Sequence, residues 1–380
     1  MINLKTIGII AEYNPFHLGH LYQINKIKEM YPESIIIAII STHFTERGDI
    51  SILNKWDKTK ICLENNIDLV VELPTIYATQ SSDIFAHAAL KILNYFKIDT
   101  LVFGTECDDI ETLYNLANTQ LNNKEYDKLV QTYLSEGINY PTAMSKALNK
   151  LTNINIDKPN DLLGLSYIKE IIKNNYQIEP ISIKRSNDYH GKNIDNNIIS
   201  ANLIRKLHQE NKDITPYIPK ITNKFLYKNL SINNAYNLLK YKIINEIDNL
   251  DKYLTVDEGI ENRIIKYINN SNTWEDLVIN IKTKRYTYNK INRMLIHILL
   301  DIKKEDNTKE IYLKVLGFNE LGKKHLNQIK KDINIPIFQG YKKNISKILD
   351  IEFKSTYIYS LITNDDTLIK KEYQNKPIIK

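Results

Sequence analysis

The amino-acid sequence predicts an α/β protein, in which a parallel sheet carries helices on both faces and a mainly helical region follows. Two observations support this prediction. In the first half of the chain, short continuous runs of Ile, Val and Leu alternate with segments of helix length, as is typical of strands buried on both faces of a sheet. After about Lys212 the chain becomes polar, and its apolar residues recur at helical spacing.

The predicted strands are buried apolar runs that end at turn-forming residues. The first is Thr6–Ala11, and the others are predicted at 34–40, 67–73, 100–103 and 180–184. Helices are predicted at 18–30, at 83–96, over most of 105–176 and from Ser200 onwards. In the last part of the chain we predict short strands at 311–316 and 336–338, with a helix at 320–331.

These elements divide the 380-residue chain into three predicted parts, which agrees with the number of domains expected for this length. Residues 1–212 form an α/β domain with a helical insertion at about 105–176. Residues 213–308 form a helical domain, and residues 309–380 form a small α/β segment.

Composition excludes several classes of protein. The hydrophobic fraction of 43% and the charged fraction of 25% are ordinary for a globular protein, and the net charge of +6 permits an acidic partner without requiring one. The two cysteines, Cys62 and Cys107, make neither a disulfide framework nor a CxxC metal site. Without a leader or a bilayer-length apolar run, we expect a cytoplasmic protein with no membrane segment, no protein-held metal and no protein partner.

The motif with the clearest chemistry is His17-Leu18-Gly19-His20, which follows the first strand and begins a helix. Asn14-Pro15 favours a turn before it, and Gly19 allows close approach of a ligand to the backbone. A helix N-terminus attracts anions, and two imidazoles can donate hydrogen bonds to phosphate. The sequence therefore predicts a phosphate site with His17 and His20 as catalytic residues, although an isolated HxGH can also be two histidines in a loop.

A second segment, Ile199 to Arg205, contains a candidate helix cap and a candidate phosphate ligand. Ser200 is a suitable N-cap, and Arg205, more than one turn later, can reach a β- or γ-phosphate. Both are candidate phosphate-binding residues, although such a segment is often only a capped helix with a solvated arginine. Together the two motifs resemble those of HIGH-type nucleotidyltransferases, which implies a Rossmann-like ATP-binding catalytic domain at 1–212. Asn202 stands where that superfamily usually has Ser or Thr.

Further motifs extend the resemblance over roughly residues 5–300. The sequence is similar to bacterial tRNA(Met) cytidine acetate ligases in Glu12-Tyr13-Asn14-Pro15-Phe16-His17, 45–48 (TERG), 55–56 (KW), 68–74 (DLVVELP), 103–106 (FGTE), 158–164 (KPNDLLG), 185–190 (RSNDYH) and 282–287 (KTKRYT). The resemblance implies that ATP, with Mg²⁺, activates acetate as acetyl-adenylate. The acetyl group then passes to the exocyclic amine of the wobble cytidine in elongator tRNA(Met), which forms acetylcytidine and releases AMP and diphosphate.

The resemblance also implies an ATP site built from the first loop and from the ends of later strands. Because the carboxyl ends of parallel strands meet at one edge of a sheet, these residues should converge. The implied ATP-binding residues are Ile10, Ala11, Glu12, Tyr13, Asn14, Pro15, Phe16, His17, Leu18, Gly19, His20, Leu21, Tyr22, Gln23, Gly104, Asn160, Arg185 and Ser186. Asn160 is expected on a Pro-containing loop that folds over the site, and the 42–56 loop, with Arg47 and Trp56, is the candidate for holding acetate.

The segment 282–293 (KTKRYTYNKINR) is basic, has no acidic residue and contains two tyrosines. Basic side chains bind RNA phosphates and aromatic rings stack on unpaired bases, although such a run is often only a solvated helix face. With the family resemblance, it predicts a tRNA-binding set of Lys282, Lys284, Arg285, Lys290 and Arg293.

Two other functions remain compatible with the residues. One is a small-molecule adenylyltransferase that acts on phosphopantetheine or nicotinate mononucleotide, which leaves the C-terminal part without a role. The other is a non-catalytic, ATP-responsive RNA-binding protein, which does not require the intact histidine pair.

Overall fold

A sheet of seven strands forms the centre of the computed structural model, which describes residues 4–185, 198–374 and 376–380. The predicted ATP ligand Ser186 lies outside these described residues. The strand order is β5-β4-β1-β2-β3-β6-β7, and the strands are β1 Thr6–Ala11, β2 Ile35–Ser41, β3 Leu69–Leu73, β4 Thr100–Thr105, β5 Glu179–Lys184, β6 Val315–Phe318 and β7 Ile378–Ile379.

The five N-terminal strands are parallel, as the buried apolar runs predicted. Strand β1 pairs with β2 over its whole length, from Thr6 opposite Ile35 to Ala11 opposite Ile40, and also with β4. All residues of β2 are buried, because helices cover both faces of the sheet. The carboxyl ends of β1, β4 and β5 therefore lie together at one edge, where the HxGH motif begins.

Helices surround the sheet and form the region that follows it. Between the N-terminal strands lie α1 Leu18–Met30, α2 Lys55–Glu64, α3 Thr75–Ala78 and α4 Ser82–Tyr95. The predicted insertion contains α5 Ile110–Asn122, α6 Lys124–Ser135, α7 Tyr140–Thr152 and α8 Pro159–Lys173. Next come α9 Ala201–Gln209, α10 Lys220–Asn223, α11 Tyr236–Asn245, α12 Ile260–Ile268, α13 Trp274–Ile281 and α14 Tyr288–Leu299. The last helices are α15 Glu320–Ile329, α16 Lys347–Thr363 and α17 Thr367–Gln374.

The C-terminal segment extends the N-terminal sheet. Strand β6 pairs antiparallel with β3, and β7 pairs parallel with β6. Val315 and Leu316, from the strand predicted at 311–316, belong to β6. Leu313 pairs with Ile337, from the strand predicted at 336–338, in a single parallel bridge. The three-part division of the chain stays a prediction, and the first and last parts share one sheet. Within the described ranges, no helix combines the length and the apolar character needed to cross a membrane.

A buried cluster of five charged residues, which we call the ionic cluster, joins the C-terminal helices to the sheet. Its members are Lys55, Glu72, Lys314, Glu352 and Glu372, and each side chain is at most 1% exposed. Nζ of Lys55 lies 2.7 Å from Oε2 of Glu72 and 3.1 Å from Oε1 of Glu352, and it also contacts Glu372. Burial opposes the charge of Lys55, but the three carboxylates raise its pKa well above the usual value. Because the ammonium contacts all three, we assign no metal there.

Candidate active site

His17 and His20 cap helix α1 reciprocally. Nδ1 of His17 accepts a hydrogen bond from the backbone N–H of Gly19 at 3.0 Å, and Nδ1 of His20 accepts from the backbone N–H of His17 at 3.2 Å. The two rings are stacked, with 3.8 Å between their centroids. Because each Nδ1 is an acceptor, we assign the ring proton of each neutral imidazole to Nε2.

Both imidazoles are held in the neutral form. Burial, together with the charges of Arg185 and Arg205, lowers the pKa of His17 to about 3. Burial, His17 and Arg185 also lower the pKa of His20 well below its usual value. At neutral pH the pair therefore offers two Nε2–H donors without a fixed positive charge, which suits hydrogen bonding to phosphate oxygens.

Gly19 is required by the cap itself. A Cβ atom at this position would lie 2.7 Å from Cε1 of His17 and 3.3 Å from Cγ2 of Ile198. From the sequence, Gly19 was expected only to admit a ligand to the backbone. The structure adds that the glycine leaves room for the capping imidazole.

Arg185 and Gly104 lie opposite the histidines, at the ends of β5 and β4. A Cβ at Gly104 would lie 3.2 Å from Cγ of Arg185, so the glycine allows the arginine to lie across the end of β4. Nε of Arg185 is buried and has no hydrogen-bond partner among the described residues. Burial lowers the pKa of Arg185, and nearby Glu106 opposes this shift. A buried guanidinium N–H that no described residue accepts is suited to donate to an anion.

The structure thus brings several predicted residues together around one cleft. Its described lining is His17, Gly19, His20, Tyr22, Gln23, Gly104, Ile183, Lys184, Arg185, Ile198, Ile199 and Ser200. The sequence analysis missed Ile183, Lys184, Ile198 and Ile199. The carboxyl end of β5 was a signal for the first two, whereas the approach of Ile198 to Gly19 depends on tertiary packing.

Other residues of the predicted ATP-binding loop do not line the cleft but pack beneath the residues that do. Tyr13 and Phe16 are buried, and their ring centroids lie 4.8 Å and 5.6 Å from that of His20. The side chain of Asn14 makes two hydrogen bonds to the neighbouring loop. Its Nδ2 donates to the carbonyl of Ile50, and its Oδ1 accepts from the N–H of Ile52. Ile10, Ala11 and Leu21 pack against the two cores beside the sheet. We find Pro15 buried beside these residues and Leu18 partly buried at the start of α1.

Asn160 is placed differently from the prediction. It lies in the first turn of α8 and not on a loop that covers the cleft. Its side-chain amide donates to a carboxylate oxygen of Glu106, and the second oxygen of Glu106 accepts the N–H of Asp161 at 3.2 Å. Since Glu106 in turn interacts electrostatically with Arg185, Asn160 is connected to the cleft through one intervening residue.

Ser200 caps α9 through a hydrogen bond from the N–H of Leu203 to its hydroxyl at 3.3 Å. From the same helix, Arg205 donates to the carbonyl of Asn14 at 2.8 Å and to Oδ1 of Asn202 at 3.3 Å. Asn202, the residue that replaces Ser or Thr, therefore orients Arg205. The guanidinium fixes the backbone of the first loop and adds positive charge near His17.

Lys58 is a supporting residue that the sequence analysis missed. Its buried ammonium donates to the carbonyls of Glu12 at 2.7 Å, Ser41 at 2.9 Å and Thr42 at 2.9 Å, and so joins the ends of β1 and β2. Trp56, proposed for acetate, lies against the ammonium groups of Lys55 and Lys371, beside the ionic cluster. We therefore keep only Arg47 as a candidate for binding acetate. Its charge opposes the rise in the pKa of Glu12 and contributes to the lowered pKa of Arg185, so it interacts with residues beside the cleft.

Four of the five predicted tRNA ligands lie at or near the surface around the start of α14. Lys284 and Arg285 are exposed, and the latter lies 3.6 Å from Glu258. Lys282 and Lys290 are partly buried, with their ammonium groups over the rings of Tyr288 and Tyr286.

Arg293 requires a correction, because its guanidinium is largely buried and hydrogen-bonded to Glu46. This contact leaves little of the side chain for RNA, so we remove Arg293 from the predicted tRNA-binding set.

A parallel sheet with a histidine-capped cleft at the carboxyl ends of its strands is the architecture of a nucleotidyl transferase, and the family model "HIGH Nucleotidyl Transferase" matches residues 4–375. The tRNA(Met) cytidine acetate ligase of Caldicellulosiruptor saccharolyticus is 36% identical, over 99% of this chain and 98% of that protein. The ligase of the same name from Clostridium novyi is 34% identical, over 99% of both. The chain belongs to the family of tRNA(Met) cytidine acetate ligases.

Two solved structures confirm the fold class. Apo Thermotoga maritima TmcAL is 27% identical, covers 99% of both chains and has a TM-score of 0.90. The same protein bound to alpha-thio ATP is 26% identical, with the same coverage and a TM-score of 0.87.

Proposed function

We propose that this chain is an ATP-dependent ligase that activates acetate as acetyl-adenylate and acetylates the exocyclic amine of the wobble cytidine in elongator tRNA(Met). The names of the relatives support this reaction. The observation in the chain itself that carries the proposal is the pair of neutral imidazoles at the N-terminus of α1, which lines the same cleft as Arg185 and its buried, unpaired Nε. With a tRNA substrate, the reaction is expected in the cytoplasm.

In the first step, a carboxylate oxygen of acetate attacks the α-phosphorus of ATP, and diphosphate leaves with the electrons of the broken P–O bond. Acetate is already an anion at neutral pH, so no general base is required. The residues need to align the reactants and stabilise negative charge on the phosphates. His17, His20, Arg185 and the N–H groups of α1 supply donors for that charge, and Mg²⁺ bound with the nucleotide would add positive charge there.

In the second step, the cytidine amine attacks the acetyl carbonyl, AMP leaves, and the nitrogen loses its proton. The mixed anhydride is reactive enough to need no enzyme nucleophile. Neither cysteine is suited to that role, because burial raises the pKa of the Cys62 thiol far above neutrality and that of Cys107 to about 11.

The RNA-binding surface is proposed to consist of the exposed Lys284 and Arg285 and the partly buried Lys282 and Lys290. Tyr288 is 55% exposed beside these cations, which provides a face for stacking an unpaired base. The wobble cytidine lies in a single-stranded loop, so bringing it to the cleft requires less unstacking than in a duplex.

The experiment that tests this function combines the protein with ATP, labelled acetate and tRNA(Met), and omits each component in turn. We expect label in tRNA only when all three are present, together with AMP and diphosphate. Transfer of AMP to phosphopantetheine or nicotinate mononucleotide would instead support the small-molecule adenylyltransferase. Binding of ATP and tRNA without any labelled product would support the non-catalytic alternative.

The double variant Lys284→Ala/Arg285→Ala tests the surface. Because each cation lost removes phosphate contacts, we expect tRNA affinity to fall by about tenfold or more at low salt and the salt dependence of binding to become shallower. Acetate-dependent exchange of diphosphate into ATP, measured without tRNA, should stay within about twofold of wild type, an estimate that assumes only the RNA phosphate contacts are lost. Equal losses in both assays would contradict the assignment.

A further inference from the structure

The 45–49 turn lies between helix α14 and the loop that follows β1. It is closed by hydrogen bonds from the N–H of Thr45 to the carbonyl of Asp49 at 3.0 Å and from the N–H of Gly48 to the carbonyl of Thr45 at 2.9 Å. Phe44 and Ile50 pair in an antiparallel bridge on either side of it. The turn is therefore a defined unit that can transmit a displacement from one neighbour to the other.

On one side, the turn contacts the loop that leads into the HxGH motif. The backbone N–H of Glu46 donates to Oε1 of Glu12 at 2.6 Å. Oδ2 of Asp49 lies 3.5 Å from Nε of Arg205, whose Nη1 donates to the carbonyl of Asn14 at 2.8 Å. The position of the turn is thus linked to the backbone on which His17 is mounted.

On the other side, the turn is held by α14. Nη1 of Arg293 donates to the backbone carbonyl of Glu46 at 3.0 Å and to its Oε1 at 2.7 Å. Gly48 has a φ of +72°, and a Cβ there would lie 2.3 Å from the backbone nitrogen of Arg293, so helix and turn are in backbone contact. Oδ1 of Asn292 accepts from Nε1 of Trp274 at 2.9 Å, which fixes this part of α14 against α13.

The ion pair between Arg293 and Glu46 affects the position of the loop that carries Glu12. The side chains of Arg293 and Glu46 are only 13% and 24% exposed, so their hydrogen-bonded ion pair is partly desolvated. Burial raises the pKa of Glu12, and the carboxylate of Glu46 contributes to that rise. Arg293 offsets the charge of Glu46. Without Arg293, two neighbouring carboxylates would repel each other and push the turn away from the loop.

We propose that Arg293, although it lies in the basic segment, is a positioning residue for acetyl-adenylate formation that acts through the 45–49 turn. This inference rests on the proposed function. Under this proposal the basic segment has two roles. The cations near its start contact RNA, whereas Arg293 holds in place the loop that leads into the HxGH motif.

The test is the variant Arg293→Gln, assayed without tRNA. We expect ATP affinity, measured by calorimetry, to fall, and kcat/KM for acetate-dependent diphosphate exchange to drop by about 10- to 100-fold, the effect of a small misplacement of catalytic groups. The double variant Arg293→Gln/Glu46→Gln should recover part of this loss, because it removes the repulsion between the carboxylates. Arg293→Lys should also recover part, since its ammonium can donate to Glu46.

Arg263→Gln is the matched control. Arg263 also joins two segments of the helical region, but it does so by donating to the carbonyls of Asn280 and Ile281, which lie outside the 45–49 turn. We expect its exchange kinetics and ATP affinity to match those of wild type. Wild-type exchange and ATP affinity in Arg293→Gln, with weaker tRNA binding, would overturn the proposal. Absence of exchange in wild type would count against the proposed function, and the calorimetric comparison would still decide the role of Arg293.

Discussion

Replacing His20 with alanine is expected to reduce acetate-dependent diphosphate exchange by about 10²- to 10³-fold, the usual effect of losing one hydrogen-bond donor to a developing oxyanion. The imidazole of His20 is neutral, and its Nδ1 is used by the backbone N–H of His17. Its Nε2–H is therefore the group available to a phosphate. Binding of tRNA to the same variant should match wild type, because the basic segment lies in the connection between α13 and α14 and in α14 itself, and not on α1.

Two further variants separate the cap from the donor. In His20→Asn, the amide oxygen can replace Nδ1 as the acceptor, but no group reaches the position of Nε2. In His20→Gln, the amide N–H can reach that position, but an amide turned in this way no longer places its oxygen where Nδ1 accepts from the N–H of His17. We expect His20→Gln to be the more active of the two. Near wild-type exchange in His20→Asn would show that His20 only caps α1, and the phosphate role would then be wrong.

The sheet and the histidine motif were predictable because their causes are local. The buried run Thr6–Ala11 became β1 over the predicted residues, and the helix predicted at 18–30 became α1. Parallel pairing then follows from helices that connect successive strands. Strand β6 was harder to place, because it has only four residues and its partner β3 is far away in the sequence.

The roles of single charged residues were much less predictable. Lys55 and Lys58 lie in the segment NKWDKTK, which has the pattern of a solvated helix face, yet both side chains are fully buried. One of the partners of Lys55, Glu352, lies 297 residues further along the chain. Arg293 likewise looked like one more cation in a basic run, until the structure placed Glu46 beside it. The periodicity of a sequence shows which residues share one face of a helix. It does not show which partner a charged side chain will have, because that partner is distant in the sequence and is brought near only by folding.

The variant Lys55→Met should have the largest effect on stability. We expect the free energy of unfolding, measured with urea, to fall by about 3–5 kcal/mol, as is typical when one partner of a buried ion pair is removed. Methionine fills a similar volume, so the loss comes mainly from charge. The remaining ammonium of the cluster, that of Lys314, contacts Glu72 and Glu372, and Glu352 would lose its ion pair with Lys55.

Two comparisons test whether charge is the cause. Lys55→Met/Glu352→Gln removes one of the three carboxylates as well, and it should therefore be more stable than Lys55→Met alone. Lys60→Met removes a lysine from the exposed face of the same helix, where its partner is Asp57, and should cost at most about 1 kcal/mol. Equal stability of Lys55→Met and wild type would mean that the cluster contributes no net stabilisation.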